Sequence, residues 1–416
     1  MFPLSRRAEL AALAALLLAA LAIRLLWVAH IPRDRIELPD EREYLELGDH
    51  LHSDQGLWFI DVRFNRPVYA YRTPGYPLFV SWCLADPRIV RAAQAFLDIS
   101  TVLAIYLLSR KWLTGAQSLF AAAIVAFNPF LIFFTGLILS ETLFTAMLCW
   151  GMVLLILSGG PWPTERGRMA AWIGGGVLLA LSLLVRPGAF LLPVLLVSAA
   201  ALASDFPSPR RQFPIPVAAT MLLSTLFVLF PWAARNRLKL SDWVWTTTNA
   251  GITRYDGFNP DATGASDQSF VKTMPFLQDM TEVARSRYFA EKADDWLMQN
   301  PWRSVTLGFV KIGRTWSPIP LSDQYGSQTA YVLVGLCYAL PVDLLLIAGF
   351  LRKGLPGPAK MFLLIPALYF TVGVALSVGS LRYLLPAEPP MAIVAAGALS
   401  RRGVRRSHLS DPALVN

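Results

Sequence analysis

Apolar residues in this chain come in long runs, with neither the strict alternation of half-buried strands nor the narrow stripe of surface helices. Ten stretches read as membrane-spanning helices: residues 10–30, 89–108, 116–134, 137–157, 170–185, 189–203, 217–232, 330–350, 361–378 and 384–399. Most approach the roughly 20 residues that cross a hydrocarbon core of about 30 Å. Between them lie short polar connections and two long hydrophilic regions, 31–88 and 233–325. The pattern predicts an all-α polytopic membrane protein of about ten transmembrane helices, forming one domain over residues 1–416, with juxtamembrane or interfacial helices in the two long regions. The first run follows Arg6 and Arg7 and so imitates a signal peptide. It is longer than a typical signal core and ends in no small-residue cleavage site, so it is expected to stay as the first span.

Composition sharpens this picture. Of 416 residues, 55% are hydrophobic and 16% charged, and the mean hydropathy is +0.47, far from an ordinary soluble domain. The net charge of +9 does not mark a nucleic-acid binder, because the Lys and Arg residues cluster beside apolar runs rather than on one soluble face. Arg110-Lys111, Arg166 to Arg168, Arg210-Arg211, Arg352-Lys353 with Lys360, and the tail Arg401 to Arg406 all fall on one side if the spans alternate. The positive-inside rule makes that side the cytoplasm and puts regions 31–88 and 233–325 on the outer face. Segment 304–318 carries Lys311 and Arg314, and as an eleventh span it would put the basic tail outside. An interfacial or re-entrant helix is expected there instead. Region 233–325 is rich in turn residues (GFNPDATGAS) before a helical stretch at 281–299, which suits a small lid. Cys83, Cys149 and Cys337 have neither metal-ligand spacing nor an even count, so no disulfide or zinc site is expected.

Candidate chemistry gathers near the predicted membrane surface. Asp40 and Glu41 stand as adjacent carboxylates just past the first span. An enzyme acting on a lipid phosphate needs its base at that depth. The same stretch also reads as a helix start, with Asp40 as N-cap and Glu43 as its partner three residues on. Arg72 lies in a Pro- and Gly-fixed turn (YRTPGYP) that can aim it at a phosphate, or serve as an interfacial anchor. Glu141 follows Ser140 at the edge of a span, where a carboxylate is costly; Ser140 with Glu141 also suits a helix start. Arg186 in Arg186-Pro187-Gly188, and Arg382-Tyr383 before the last span, add cations at one expected depth. Asp98 and Asp343, inside spans, are expected to act in packing or ion pairs, while His50 and His52 give only a weak metal signal.

The order of Pro39-Asp40-Glu41, Arg72-Thr73-Pro74-Gly75-Tyr76-Pro77, Asn128-Pro129 with Ser140-Glu141, Arg186-Pro187, Pro231-Trp232-Ala233-Ala234-Arg235-Asn236 and Arg382-Tyr383 resembles bacterial GT-C glycosyltransferases of the protein O-mannosyltransferase and aminoarabinose transferase type. The resemblance runs over nearly the whole chain. It implies a multi-pass protein of the bacterial inner membrane with its site facing the periplasm, a sugar donor on polyprenyl phosphate, and inversion at the anomeric carbon. It further implies Asp40 as base with Glu41 beside it and Glu141 as a supporting or metal-facing carboxylate. Arg72, Tyr76, Arg186, Arg235, Asn236, Arg382 and Tyr383 would contact substrate. Membrane lipids and an acceptor protein, lipid or glycan are the implied partners, without nucleic acid; the cofactor is unknown, with a divalent cation possible. Against several such enzymes the 416 residues leave no room for a large carboxy-terminal soluble domain, so acceptor recognition is expected to fall to region 233–325. A transporter or flippase of a lipid-linked sugar is the alternative, since it too needs apolar spans and intramembrane charges.

Overall fold

The computed structural model describes residues 5–159, 164–203, 214–321 and 328–400. The basic pairs Arg210-Arg211 and Arg401 to Arg406, and the end of region 233–325, lie outside them. In chain order the helices are α1 (Arg6–His30), α2 (Pro39–His52), α3 (Gly75–Trp82), α4 (Pro87–Ser109), α5 (Gly115–Ala126), α6 (Pro129–Thr135), α7 (Glu141–Leu157), α8 (Glu165–Ser182) and α9 (Leu192–Ala203). They continue with α10 (Pro214–Leu240), α11 (Asn249–Gly257), α12 (Glu282–Gln299), α13 (Pro301–Thr315), α14 (Thr329–Leu351), α15 (Gly357–Ala375) and α16 (Glu388–Gly397). One small antiparallel hairpin, β1 (Phe59–Asp61) with β2 (Arg66–Val68), pairs Phe59 with Val68.

Each apolar run expected to span is helical, but length and apolarity single out fewer crossings. Among the described residues, five helices (α1, α4, α10, α14 and α15) are long and apolar enough, and a sixth if α5 and α6 count as one span bent by 51°. The bend has a local cause. Asn128 caps α6 through its side-chain oxygen, which accepts from the Phe130 and Leu131 amides, and Pro129 cannot continue the α5 ladder. The run 116–134 is therefore two helices, and α7 and α9 are apolar but shorter.

α7 runs through the middle of the bundle with most of its side chains buried, packed against α4 and α8. The α7–α8 crossing is close because both faces carry glycine: a β-carbon on Gly175 would sit 3.0 Å from the Gly151 carbonyl oxygen. Between α1 and α4 a buried ion pair, Arg24 Nε to Asp98 at 2.5 Å, is completed by Arg24 Nη1 donating to the Ala126 carbonyl at 2.8 Å. Asp98 is thus the pairing residue its position suggested. Segment 304–318 folds as α13, which packs its buried Leu307, Gly308, Lys311 and Thr315 inward and exposes Trp302, Val305 and Phe309.

The two hydrophilic regions are interlocked. Region 233–325 does not begin as loop, because α10 continues to Leu240. From its last turns Arg235 donates to the carbonyls of Tyr69 and Leu57, each at 2.6 Å. Glu282, at the start of α12, accepts from the Tyr69 and Ala70 amides. These contacts fix the segment that carries Arg72.

Candidate functional site

Where α2 begins decides what Asp40 is free to do. The helix is capped at Leu38 with Pro39 in its first turn, and the carboxylate that closes the capping box is Glu41, not Glu43. Glu41 Oε1 accepts from the Glu37 and Leu38 amides (2.9 and 3.0 Å), and Oε2 from the Ile138 amide at 2.9 Å. Glu41 is fully buried and ties α2 to the segment before α7. The reading of Asp40 as N-cap is corrected: its carboxylate makes no capping bond and turns toward cations.

Asp40 Oδ1 accepts from Arg72 Nη2 at 2.8 Å, and Oδ2 from Arg382 Nη2 at 3.0 Å. Arg72 Nε also donates to Glu43 at 2.8 Å. Arg382 Nε donates to Glu141 Oε1 at 2.9 Å, and Arg186 Nη1 lies 3.1 Å from that same oxygen. Three carboxylates and three guanidiniums thus form one chain of ion pairs, Glu43–Arg72–Asp40–Arg382–Glu141–Arg186. Tyrosine faces back the cations: Arg72 lies over Tyr44 and Tyr71, and Arg186 and Arg382 over Tyr383.

The backbone explains how residues so distant in sequence meet. The Gly75 amide donates to the Leu184 carbonyl at 2.7 Å, and a β-carbon there would fall 2.6 Å from that oxygen. Only glycine allows the approach, which docks the Arg72 turn beside the turn bearing Arg186. Glu141 opens α7, where its charge meets the positive helix end.

Burial pushes the Asp40 carboxyl up, but Arg72 and Arg382 outweigh it and hold the group well below the ordinary carboxylate range. Glu43 moves the other way: burial raises it despite Arg72. Two atoms of the cluster are buried without a hydrogen-bond partner, Glu141 Oε2 and Arg186 Nη1, whose approach to Glu141 Oε1 lacks hydrogen-bond geometry.

Other expected site residues lie elsewhere. Tyr76 is fully buried and donates to Gln94 at 2.7 Å, beneath Tyr44. Arg235 is bound to backbone carbonyls, and Asn236, also buried, donates to the Val244 carbonyl at 2.9 Å. Glu43 was expected only as a capping partner, yet it joins the cluster. The signal was its spacing, since residues three apart share a helix face whereas neighbours do not. His50 stacks on Trp58, and among the described residues no group of three or more His, Cys, Asp or Glu is placed to hold a metal. Beside Arg382-Tyr383 a cavity is lined by Leu381, Leu384, Phe130, Trp316 and Tyr338, with Asp343 and Glu388 also facing it.

The chain matches no protein-family model and no curated protein. It is similar to solved structures of the Archaeoglobus fulgidus oligosaccharyltransferase. Against the apo form the TM-score is 0.56 at 14% identity, covering 94% of this chain and 50% of that one. Against AglB from the same organism, in complex with an inhibitory peptide and a dolichol-phosphate, it is 0.53 at 14% identity, covering 93% and 50%. A looser overlap, TM-score 0.49 at 14% identity over 94% of this chain and 60% of the other, is with ArnT from Cupriavidus metallidurans bound to undecaprenyl phosphate. The chain spans about half the length of the oligosaccharyltransferase structures it matches. The fold is shared with these oligosaccharyltransferase structures.

Proposed function

We propose that this chain is a membrane glycosyltransferase that moves a sugar from a polyprenyl-phosphate donor to an acceptor protein, lipid or glycan, with inversion and with Asp40 as base. The observation that carries the reading is the Asp40 carboxylate, freed from capping by Glu41 and held between Arg72 and Arg382. The shared fold supports it. So does the chemistry of the set: such a transfer needs a proton acceptor on one face and cations for a leaving phosphate, and no general acid.

In the proposed step the acceptor hydroxyl attacks the anomeric carbon and its proton passes to Asp40. The bond from that carbon to the phosphate oxygen breaks, and its electron pair leaves with the lipid phosphate. Arg186, and Arg382 behind it, receive that charge. Because three carboxylates already match the three guanidiniums, an incoming phosphate must share cations with them. Each share taken from Arg382 or Arg72 weakens what holds Asp40 down, so the base gains basicity when the donor is in place. The cavity beside Arg382-Tyr383 is the proposed entry for the start of the prenyl chain.

One oligosaccharyltransferase structure was determined with Zn and sulfate, which raises the question of a divalent cation at the cluster. Asp40 and Glu43 already face guanidiniums, leaving Glu141 Oε2 as the one buried carboxylate oxygen of the cluster without a partner. Zinc takes about four ligands and harder divalent ions about six oxygens, far more than this one. The residues do not fit, and no step is routed through a metal.

Purified protein in lipid nanodiscs, given labelled polyprenyl-phosphate sugars and cell-envelope acceptors, tests the reading. Label should move to acceptor and polyprenyl phosphate should be released; label that only crosses the bilayer would make the chain a transporter. The proposed orientation puts region 233–325 outside in the bacterial inner membrane. A cysteine engineered at Ser266 should therefore react with an impermeant reagent from the periplasmic face, and one at Ser407 should not.

A further inference from the structure

Carboxylate oxygens buried without a partner are uncommon in folded proteins and call for an explanation. The cluster contains one, Glu141 Oε2, on a side chain only 2% exposed. A buried donor, Arg186 Nη1, also lacks a directed hydrogen bond and lies 3.1 Å from the other oxygen of the same carboxylate. Elsewhere in the chain of ion pairs both Asp40 oxygens and Glu43 Oε2 accept from guanidiniums. What is missing is a ligand that offers an acceptor to Arg186 and, close by, a donor to Glu141.

A polyprenyl-phosphate sugar has that pairing at one place. The phosphate oxygen is the acceptor, and the nearest donor is the hydroxyl or N–H on the ring carbon next to the anomeric centre. We propose that Glu141 is the specificity-determining contact for the donor sugar, its free Oε2 accepting a hydrogen bond from that substituent while Arg186 takes the phosphate. This rests on the glycosyltransferase reading and assigns Glu141 a role apart from the base. A cation at Oε2 would sit beside Arg382 and Arg186 and be repelled by both, whereas a neutral hydroxyl meets no such penalty. The contact also strengthens during reaction, because positive charge growing on the ring makes the neighbouring hydroxyl a better donor. It therefore acts on kcat more than on KM.

The experiment compares a short-chain polyprenyl-phosphate sugar that the wild type uses with its 2-deoxy counterpart, for wild type and Glu141→Gln. Binding of both lipids is measured without acceptor, and turnover with it. In Glu141→Gln the amide oxygen stays with Arg382 and the NH2 group takes the place of Oε2, so a donor faces a donor. Wild type should turn over the 2-deoxy donor at least about a hundredfold more slowly than its parent, as a site built for a hydroxyl rejects an analogue lacking it. The variant should lose most of that preference, to within about tenfold, while bare polyprenyl phosphate still binds. Glu141→Ala provides a second check if Glu141→Gln is poorly folded. A wild type indifferent to the 2-substituent, or a variant that keeps the full preference, overturns the assignment. If no sugar is ever transferred, the glycosyltransferase reading fails on its own. The binding preference for the 2-hydroxyl, and its loss with Glu141, then still decide this proposal.

Discussion

The first turns of α2 and α7 each bury one glutamate, Glu41 fully and Glu141 to 2% exposure, yet the two have opposite surroundings. Glu41 spends both oxygens on three backbone amides from two segments. Glu141 shares one oxygen between two arginines and leaves the other without a partner. Buried acids alone do not mark a reactive site; what separates these two is whether the protein satisfies every atom by itself. The first is a joint, and the second is half of a contact.

Asp40, next to Glu41 in the first turn of α2 and joined to Glu141 through Arg382, gives the largest expected effect. Asp40→Asn keeps size and leaves the Glu41 capping box intact, so the protein should fold and bind donor. Turnover should fall about a hundredfold to ten-thousandfold, the usual worth of general-base assistance. A near wild-type rate would move the base to Glu43 or Glu141 and break the contrast drawn here.

Arg186→Leu comes next. A lost hydrogen bond to a charged group is worth about 1.5–3 kcal/mol, so affinity for polyprenyl phosphate should drop roughly tenfold to hundredfold in a binding titration. Lys should recover part, since it lacks the planar fork. Unchanged affinity would make Arg186 only an anchor for Tyr383.

Glu41→Gln sharpens the comparison from the other side. Its amide nitrogen would confront an N–H it cannot accept, at a cost of about 1–3 kcal/mol. A lower unfolding midpoint in detergent is expected, with turnover per folded molecule near wild type. Loss of turnover without loss of stability would put Glu41 in the reaction.

The smallest expected effect is on pH dependence. Asp40, depressed in the folded protein, stabilises it above its unfolded value near 3.9, and that contribution is lost only as pH falls through the lower folded value. Glu43, raised by burial, has the opposite sign, and its contribution fades as pH rises through its folded value. Between pH 7 and 4, the acid limb of kcat/KM for donor should therefore belong to Glu43 and vanish in Glu43→Gln. In the Arg382→Leu background a new limb from Asp40 should enter the ordinary carboxylate range. If it does not, Arg382 does not set the basicity of Asp40.

Much of this was legible in the chain. Long apolar runs mark helices because a bilayer core admits little else, and Asp40, Arg72, Glu141, Arg186 and Arg382 stood out as charges that such a setting makes costly. Three things were not legible. Adjacency suggested Glu41 as partner of Asp40, whereas helix geometry turns neighbours apart and brings Glu43 alongside. Arg235 and Asn236 looked like ligand residues in a loop, but α10 continues through them and their donors end on carbonyls that only the folded chain brings near. The bend at Asn128-Pro129 interrupts an otherwise unbroken apolar run, and hydropathy is blind to a side chain that caps a helix inside it.

The pair between α1 and α4 carries a consequence for how the protein is made. Arg24 and Asp98 lie on helices that leave the ribosome far apart in time, separated by the whole of region 31–88. A charge costs about 2.5–3.5 kcal/mol at the centre of a lone helix in lipid, so each of these two helices is expected to sit in the bilayer at lower cost with the other than alone. The carbonyls of Val125 and Ala126 at the end of α5 complete the arginine's shell. Charge thus ties α1, α4 and α5 into one joint, and the elements carrying Asp40 and Arg72 lie in the chain between the two helices it joins.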